Sequence, residues 1–215
     1  MKKFIAVAGN IGVGKSTLVE MICERLECQP FYEPVTENPY LADFYADMRS
    51  WAFHSQVYFL CRKFRIHQEL DRARSSRTVI QDRTIYEDAE IFARVLHDQG
   101  SMTDVDYRNY TALFHVLVGF LRKPDLIIYL KASPDVLMER IARRGRASEK
   151  SIGKDYIERL NFAYDDWMRR ARAETEVLEI DTDHVPLQGE AEGFARLVND
   201  LKARYPRQAV LDLGE

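Results

Sequence analysis

An apolar run, Phe4 to Ala8, passes straight into Gly9-Asn10-Ile11-Gly12-Val13-Gly14-Lys15-Ser16-Thr17, and a helical pattern begins at Ser16 and continues to Leu26. No other feature constrains the fold so strongly. G-x-x-x-x-G-K-[ST] between a strand and a helix is a phosphate loop. Its glycines let the backbone curl around a phosphate with N–H groups turned inward, and the helix start adds the positive end of its dipole. Lys15 is positioned to reach the β- and γ-phosphates of a nucleoside triphosphate, and Ser16 to ligate Mg²⁺. A basic-then-apolar start faintly resembles a signal peptide, but this apolar run is too short and feeds the loop directly, so it reads as a buried strand.

The rest of the chain supports an open α/β sheet. Apolar runs at Thr78–Gln81, Leu126–Leu130 and Val177–Ile180, with a weaker one near Phe31–Tyr32, are continuous rather than alternating, as suits strands covered on both faces. Helical patterns fall between or after them, at Trp51–Arg74, Tyr86–Gln99, Asp104–Leu121, Pro134–Arg144, Lys154–Ala173 and Glu190–Tyr205. The expected fold is a doubly wound parallel sheet of about five strands with right-handed crossovers. Ser133-Pro134-Asp135 marks a helix start and Gly145 its end. Ile157, Leu160, Tyr164, Trp167, Met168 and Ala171 form an apolar stripe that serves as core or as a dimer surface. With no internal repeat or linker, residues 1–215 read as one domain, in which the tail 206–215 has no assigned structure.

Composition narrows the partners. A formal charge of −3 gives no support for general binding to nucleic acid or to acidic membranes. Three cysteines, Cys23, Cys28 and Cys61, lie outside metal or C-x-x-C spacing and read as reduced thiols of a cytoplasmic protein. No apolar stretch is long enough to span a bilayer.

In open α/β sheets ligands bind beyond the carboxyl ends of the strands. After the second strand stand Glu33 and Glu37; a carboxylate there accepts a proton from an attacking alcohol, or is a plain surface acid. After the third comes Asp82-Arg83-Thr84, the pattern of an acid that holds Mg²⁺ or its water beside an arginine that offsets phosphoryl charge or orients Glu33; a strand-end salt bridge is the alternative. Arg140, Arg143, Arg144 and Arg146 surround Gly145, either as a lid over phosphates at about 140–153 or as a solvated helix end. Gln56 and Lys63 lie two turns apart on one helix, and the Gln56 amide can pair with a nucleobase edge or face water. Tyr45 and Tyr86 read equally well as packing aromatics.

GNIGVGKST at 9–17, YEPVTENPYL at 32–41, FHSQVYFL at 53–60, QDRTIYEDAEIFA at 81–93 and RRGRASEKSI at 143–152 together resemble the deoxynucleoside kinase family, most of all its bacterial purine-deoxynucleoside branch. The resemblance covers most of the chain in the family's order. It implies Glu33 as the general base at the 5′-hydroxyl, Asp82 sharing the base or Mg²⁺ role, and Arg83 at the 5′-oxygen and phosphates. It implies Tyr45 and Glu149 at the 3′-hydroxyl, Gln56 and Asp88 reading the base, Arg140, Arg144 and Arg146 as lid arginines on ATP, Asp181 near the adenine of ATP, and a homodimer formed by a helix pair. The chain departs from the pattern at Thr84, where serine is common, at Lys63, where arginine is frequent, and at Ser148, where an acid is common.

Asp88 suits exocyclic amines or a cationic partner such as Lys63 and faces a thymine carbonyl poorly. The expected reaction is ATP- and Mg²⁺-dependent phosphorylation of a purine deoxynucleoside, with deoxycytidine third. The rivals are a nucleoside-monophosphate kinase of the thymidylate kinase type, whose charged acceptor would want cations where Glu33 and Glu37 stand, and a non-catalytic nucleotide switch, for which the N-K-x-D guanine-reading motif is missing.

Overall fold

The structure, a computed structural model, describes residues 3–183 other than residue 34, together with residues 199 and 203. Apart from those last two, the helix expected over 190–205 and the tail 206–215 lie outside the described residues. The strands are β1 (Phe4–Gly9), β2 (Cys28–Phe31), β3 (Thr78–Asp82), β4 (Leu126–Lys131) and β5 (Glu176–Asp181). They form one parallel sheet in the order β2-β3-β1-β4-β5. The helices are α1 (Lys15–Arg25), α2 (Leu41–Ala46), α3 (Met48–Arg74), α4 (Ile85–Glu87), α5 (Arg94–Asp98), α6 (Asp104–Val118), α7 (Pro134–Arg144) and α8 (Lys154–Ala171). Every residue of β1 is buried, as a central strand covered on both faces requires. β2 lies at the sheet edge and only half-buried, where Pro30 costs no central ladder bond.

The long helices form where their periodicity predicts, and Asp47 caps α3 by accepting from the Ser50 N–H. The stripe on α8 is core: Ile157, Leu160, Tyr164, Trp167 and Met168 are buried in the main cluster. Two segments differ from the periodicity reading. Leu41–Ala46 forms α2, which buries Leu41 and Phe44. The helix expected over 86–99 is broken into α4, a π-helical turn at Asp88–Ala93, and α5. The wider turn buries Asp88, Ile91, Phe92 and Ala93 together, so that Asp88 reaches Lys63 on α3 while Phe92 lies under Arg83. Cys23 and Cys28 are free thiols, with their Sγ atoms 2.8 Å apart where α1 turns into β2.

Candidate active site

The β1/β3 register, with Val7 opposite Asp82, brings the phosphate loop beside the end of β3. Gly9 has φ +146°, and a Cβ there would meet the Leu130 carbonyl oxygen at 2.5 Å, so only glycine lets the loop leave the sheet this way. Asn10 ties the loop to α8 through its Nδ2, which donates to the Ile157 carbonyl at 2.9 Å and to Asn161 Oδ1 at 2.7 Å. The Lys15 ammonium donates to the Asn10 carbonyl at 3.1 Å. Burial, helped by Arg83, lowers its pKa to about 8.

Ser16 Oγ donates to Asp82 Oδ2 at 2.5 Å. The other oxygen, Asp82 Oδ1, is buried with no hydrogen-bond partner. Among the described residues no cluster of three or more His, Cys, Asp or Glu side chains is able to hold a metal. Magnesium bound to a nucleotide needs only one or two protein oxygens, the rest coming from phosphate and water. A hydroxyl and a carboxylate with a spare buried oxygen fit that requirement.

Arg83 follows immediately in the left-handed region, φ +59°, the one non-glycine residue there among those described. A strained conformation at a strand end is retained where the surroundings hold it. Here the guanidinium pairs with Glu33 (Nε to Oε2, 3.1 Å), donates to the Gly9 carbonyl at 3.2 Å, and stacks 4.4 Å from the centroid of Phe92. Glu33, in the loop after β2, also meets the Lys63 ammonium at 3.0 Å. Burial opposes the charge on Glu33, but Arg83, Lys63 and Lys15 outweigh it and hold the carboxyl down to about 2. Lys63 is completely buried and bonds Asp88 Oδ1 at 2.5 Å, so one cation joins two carboxylates. Burial pushes Asp88 up to about 7 against the pull of Lys63.

Lys15, Ser16, Glu33, Asp82, Arg83 and Asp88 line a cleft of about 270 Å³. Its lining comprises Ile11, Gly12, Lys15, Ser16, Asp82 and Arg83 from the phosphate loop, α1 and the end of β3, together with Gln56 and Phe59 of α3 and Asp88 and Phe92 of the π-helical turn. Gln56 Oε1 and Asp88 Oδ2 are buried without partners, so these two lining residues offer acceptors to a ligand's N–H groups. Tyr45 and Glu149 share a side wall with Arg144 and Arg146. Glu149 accepts from Arg144 Nη2 at 2.6 Å and Arg146 Nη1 at 3.3 Å. Burial, then Glu149, pushes the Tyr45 phenol upward, so Tyr45 is a donor at any working pH.

Three expected site residues do not line this cleft. Lys63 sits behind the wall, holding Glu33 and Asp88 rather than facing the cleft. Arg140 is turned to the end of β5, donating to the Thr182 carbonyl at 2.6 Å and hydroxyl at 2.9 Å, and more distantly to the Val13 carbonyl. Asp181 closes β5 as an exposed residue that accepts from the Asp183 N–H. Of the loop, Gly9, Asn10, Val13, Gly14 and Thr17 shape the turn without lining the cleft. Sequence reasoning missed Glu87, which is completely buried beside the loop. The Thr84-x-x-Glu87 spacing of a capping box was its available signal.

A sequence profile of the deoxynucleoside kinase family matches residues 5–204. The chain belongs to that family. The deoxyadenosine/deoxycytidine kinase of Bacillus subtilis is 36% identical over 199 residues, covering 92% of this chain and 90% of its own. The deoxyguanosine kinase of the same organism is 31% identical over 202 residues, covering 93% and 96%. A solved structure of deoxyadenosine kinase from M. mycoides, with dCMP and a flexible dCDP bound, superposes with a TM-score of 0.82 at 31% identity, covering 93% of this chain and 99% of that one. The phosphate loop, the Asp82-Arg83 strand end and the acidic Glu33 segment are therefore parts of a kinase that phosphorylates deoxynucleosides. The monophosphate-kinase and switch readings give way to it.

Proposed function

We propose that this kinase transfers the γ-phosphoryl group of ATP, bound with magnesium, to the 5′-hydroxyl of a purine deoxynucleoside, deoxyadenosine or deoxyguanosine. The observation that carries the reading is the pair of carboxylates joined by the buried Lys63: Glu33 stands with Arg83 beside the phosphate loop, and Asp88 lines the same cleft with Gln56. A nucleoside laid between them places its 5′-oxygen at Glu33 and its base at Asp88 and Gln56. An amine on the base donates to Asp88 Oδ2, while a thymine carbonyl there would face a carboxylate. The named activities of the B. subtilis relatives support this substrate class.

Glu33 is ionised across the working pH range and accepts a hydrogen bond from the 5′-hydroxyl, holding the oxygen in line. It takes the proton late, as the oxygen bonds to phosphorus in a loose transition state, which suits a weak base. Arg83 and Lys15 carry the charge that builds on the phosphoryl oxygens. Ser16 and Asp82 would hold magnesium, which supplies charge neutralisation on the phosphates. Tyr45 and Glu149 hold the 3′-hydroxyl. Arg140, Arg144 and Arg146 belong to a lid at about 140–153, with Asp181 near the adenine of ATP.

The enzyme works as a cytoplasmic homodimer. The exposure of Val105, Val116 and Phe120 on and just beyond α6, at 57%, 62% and 76%, supports a subunit interface there. Among the described residues no helix is long and apolar enough to cross a membrane. Turnover with ATP–Mg²⁺ across deoxyadenosine, deoxyguanosine, deoxycytidine and thymidine tests the base assignment. A purine deoxynucleoside is expected to give the highest kcat/KM; thymidine as best substrate would overturn the role given to Asp88.

A further inference from the structure

We propose that Glu87 is a positioning residue that, with Tyr164, fixes the phosphate loop against Arg83 so that donor and acceptor meet in line. This rests on the phosphoryl-transfer reading above. Glu87 ends α4 and is completely buried. Its Oε2 accepts from the backbone N–H of Gly9 at 3.3 Å and from the Tyr164 hydroxyl at 2.8 Å, and its Oε1 accepts from the N–H of Thr84 at 2.9 Å. The other side of the same glycine is also held: the Gly9 carbonyl accepts from Arg83 Nη2 at 3.2 Å.

The residue that carries β1 into the phosphate loop is thus gripped through both its N–H and its carbonyl, by two side chains from one short segment after β3. Tyr164 lies on α8, so three separate stretches of chain meet at one carboxylate. Arg83 in turn pairs with Glu33. A continuous set of contacts runs from Tyr164 through Glu87, Gly9 and Arg83 to the proposed base. Glu87 touches neither the cleft nor any substrate position, and it lines no part of the cavity. Keeping a carboxylate this deeply buried is costly unless its acceptors are fully used, and three donors satisfy it here.

Glutamine does not replace it. If the amide oxygen faces Gly9, its NH₂ meets the Thr84 N–H; if it faces Thr84, the NH₂ meets the Gly9 N–H. Either orientation sets donor against donor and displaces the loop relative to Arg83.

The test is steady-state kinetics and thermal melting of Glu87→Gln, Tyr164→Phe, the double variant, and Tyr129→Phe as a control. Tyr129 is also buried; its hydroxyl donates to Asp165 at 3.1 Å and its ring stacks on Tyr164, but it takes no part in the contacts around Gly9. We expect Glu87→Gln to lower kcat by about 10- to 100-fold, the scale of a misplacement of up to 1 Å, with both KM values within about threefold of wild type. Tyr164→Phe should lower kcat by several-fold, and the double variant should fall no further than Glu87→Gln alone, since the two act through one contact. Tyr129→Phe should keep wild-type kcat. Folded variants whose kcat stays within twofold of wild type, or a Tyr129→Phe loss equal to that of Tyr164→Phe, would overturn the proposal. If Glu87→Gln does not fold, Tyr164→Phe against Tyr129→Phe decides. Wild-type turnover in the same assay separates failure of this proposal from failure of the kinase reading.

Discussion

Replacing Lys63 with methionine keeps the volume of its stem and removes only the charge that joins Glu33 to Asp88. The two carboxylates respond differently. Glu33 retains Arg83 at 3.1 Å and stays paired. Asp88 loses the cation at 2.5 Å and has only its buried, unpartnered Oδ2 besides. Breaking a buried pair from one side costs about 3–5 kcal/mol, because a buried charge is left uncompensated. For a chain of this size that is a fall in Tm of about 6–20 °C at pH 8. The deficit should depend on pH. A carboxyl whose folded pKa is raised above its unfolded value near 3.9 binds protons preferentially when folded, so stability rises as pH falls through the folded pKa. In the wild type Asp88 titrates at about 7 and gains over roughly one unit between pH 8 and pH 6. Without Lys63 its pKa rises further, and the variant gains over both units. The difference is about 1.4 kcal/mol, so the Tm deficit at pH 6 should be smaller by roughly 3–6 °C. Melts followed by circular dichroism at the two pH values measure this. A loss below 2 °C, or one identical at both pH values, would refute the bridging role of Lys63.

Other consequences follow from the same geometry. Glu33→Gln should lower kcat by about 10²- to 10⁴-fold with a much smaller change in the KM for ATP, measured by a coupled ADP assay. Asp82→Asn removes the carboxylate that Ser16 contacts, and the Mg²⁺ concentration giving half-maximal rate should rise by at least about tenfold in a magnesium titration. Because kcat/KM reports the free enzyme, its value for deoxyadenosine should decline as pH falls below about 7, where Asp88 takes a proton and loses an acceptor; Asp88→Asn should abolish that inflection. Glu33 stays ionised far below this range, so kcat should not share the inflection.

The phosphate end of the site was readable because it is encoded locally. Gly9, Gly12 and Gly14 supply the positive φ values of +146°, +84° and +101° within one short stretch, and the buried strand before them is a continuous apolar run. Of the proposed base contacts, the Gln56 amide was open to two readings from the residues alone and Asp88 entered through resemblance to a family, since both look like ordinary helix residues until α3 and the turn after β3 are packed together. That Lys63 is completely buried and bridges Glu33 as well as Asp88 depends on the approach of the loop after β2, which no spacing encodes. The π-helical turn at Asp88–Ala93 escaped for the same reason: a helical period was present, and tertiary packing against α3 and α8 widened one turn of it. Glu87 was overlooked because a charged residue in the first turn of a helix normally faces solvent. The burial of Glu87 follows from the meeting of α4, α8 and the start of the phosphate loop.

The most direct measurement is the initial rate of ADP formation from ATP–Mg²⁺ with deoxyadenosine and, separately, with deoxyadenosine 5′-monophosphate, for the wild type and Glu33→Gln. A neutral 5′-hydroxyl acceptor held by Glu33 predicts that the wild type turns over the nucleoside and not the monophosphate, and that the substitution abolishes most of that turnover. Preferential turnover of the monophosphate, or a Glu33→Gln enzyme as fast as wild type, would contradict it.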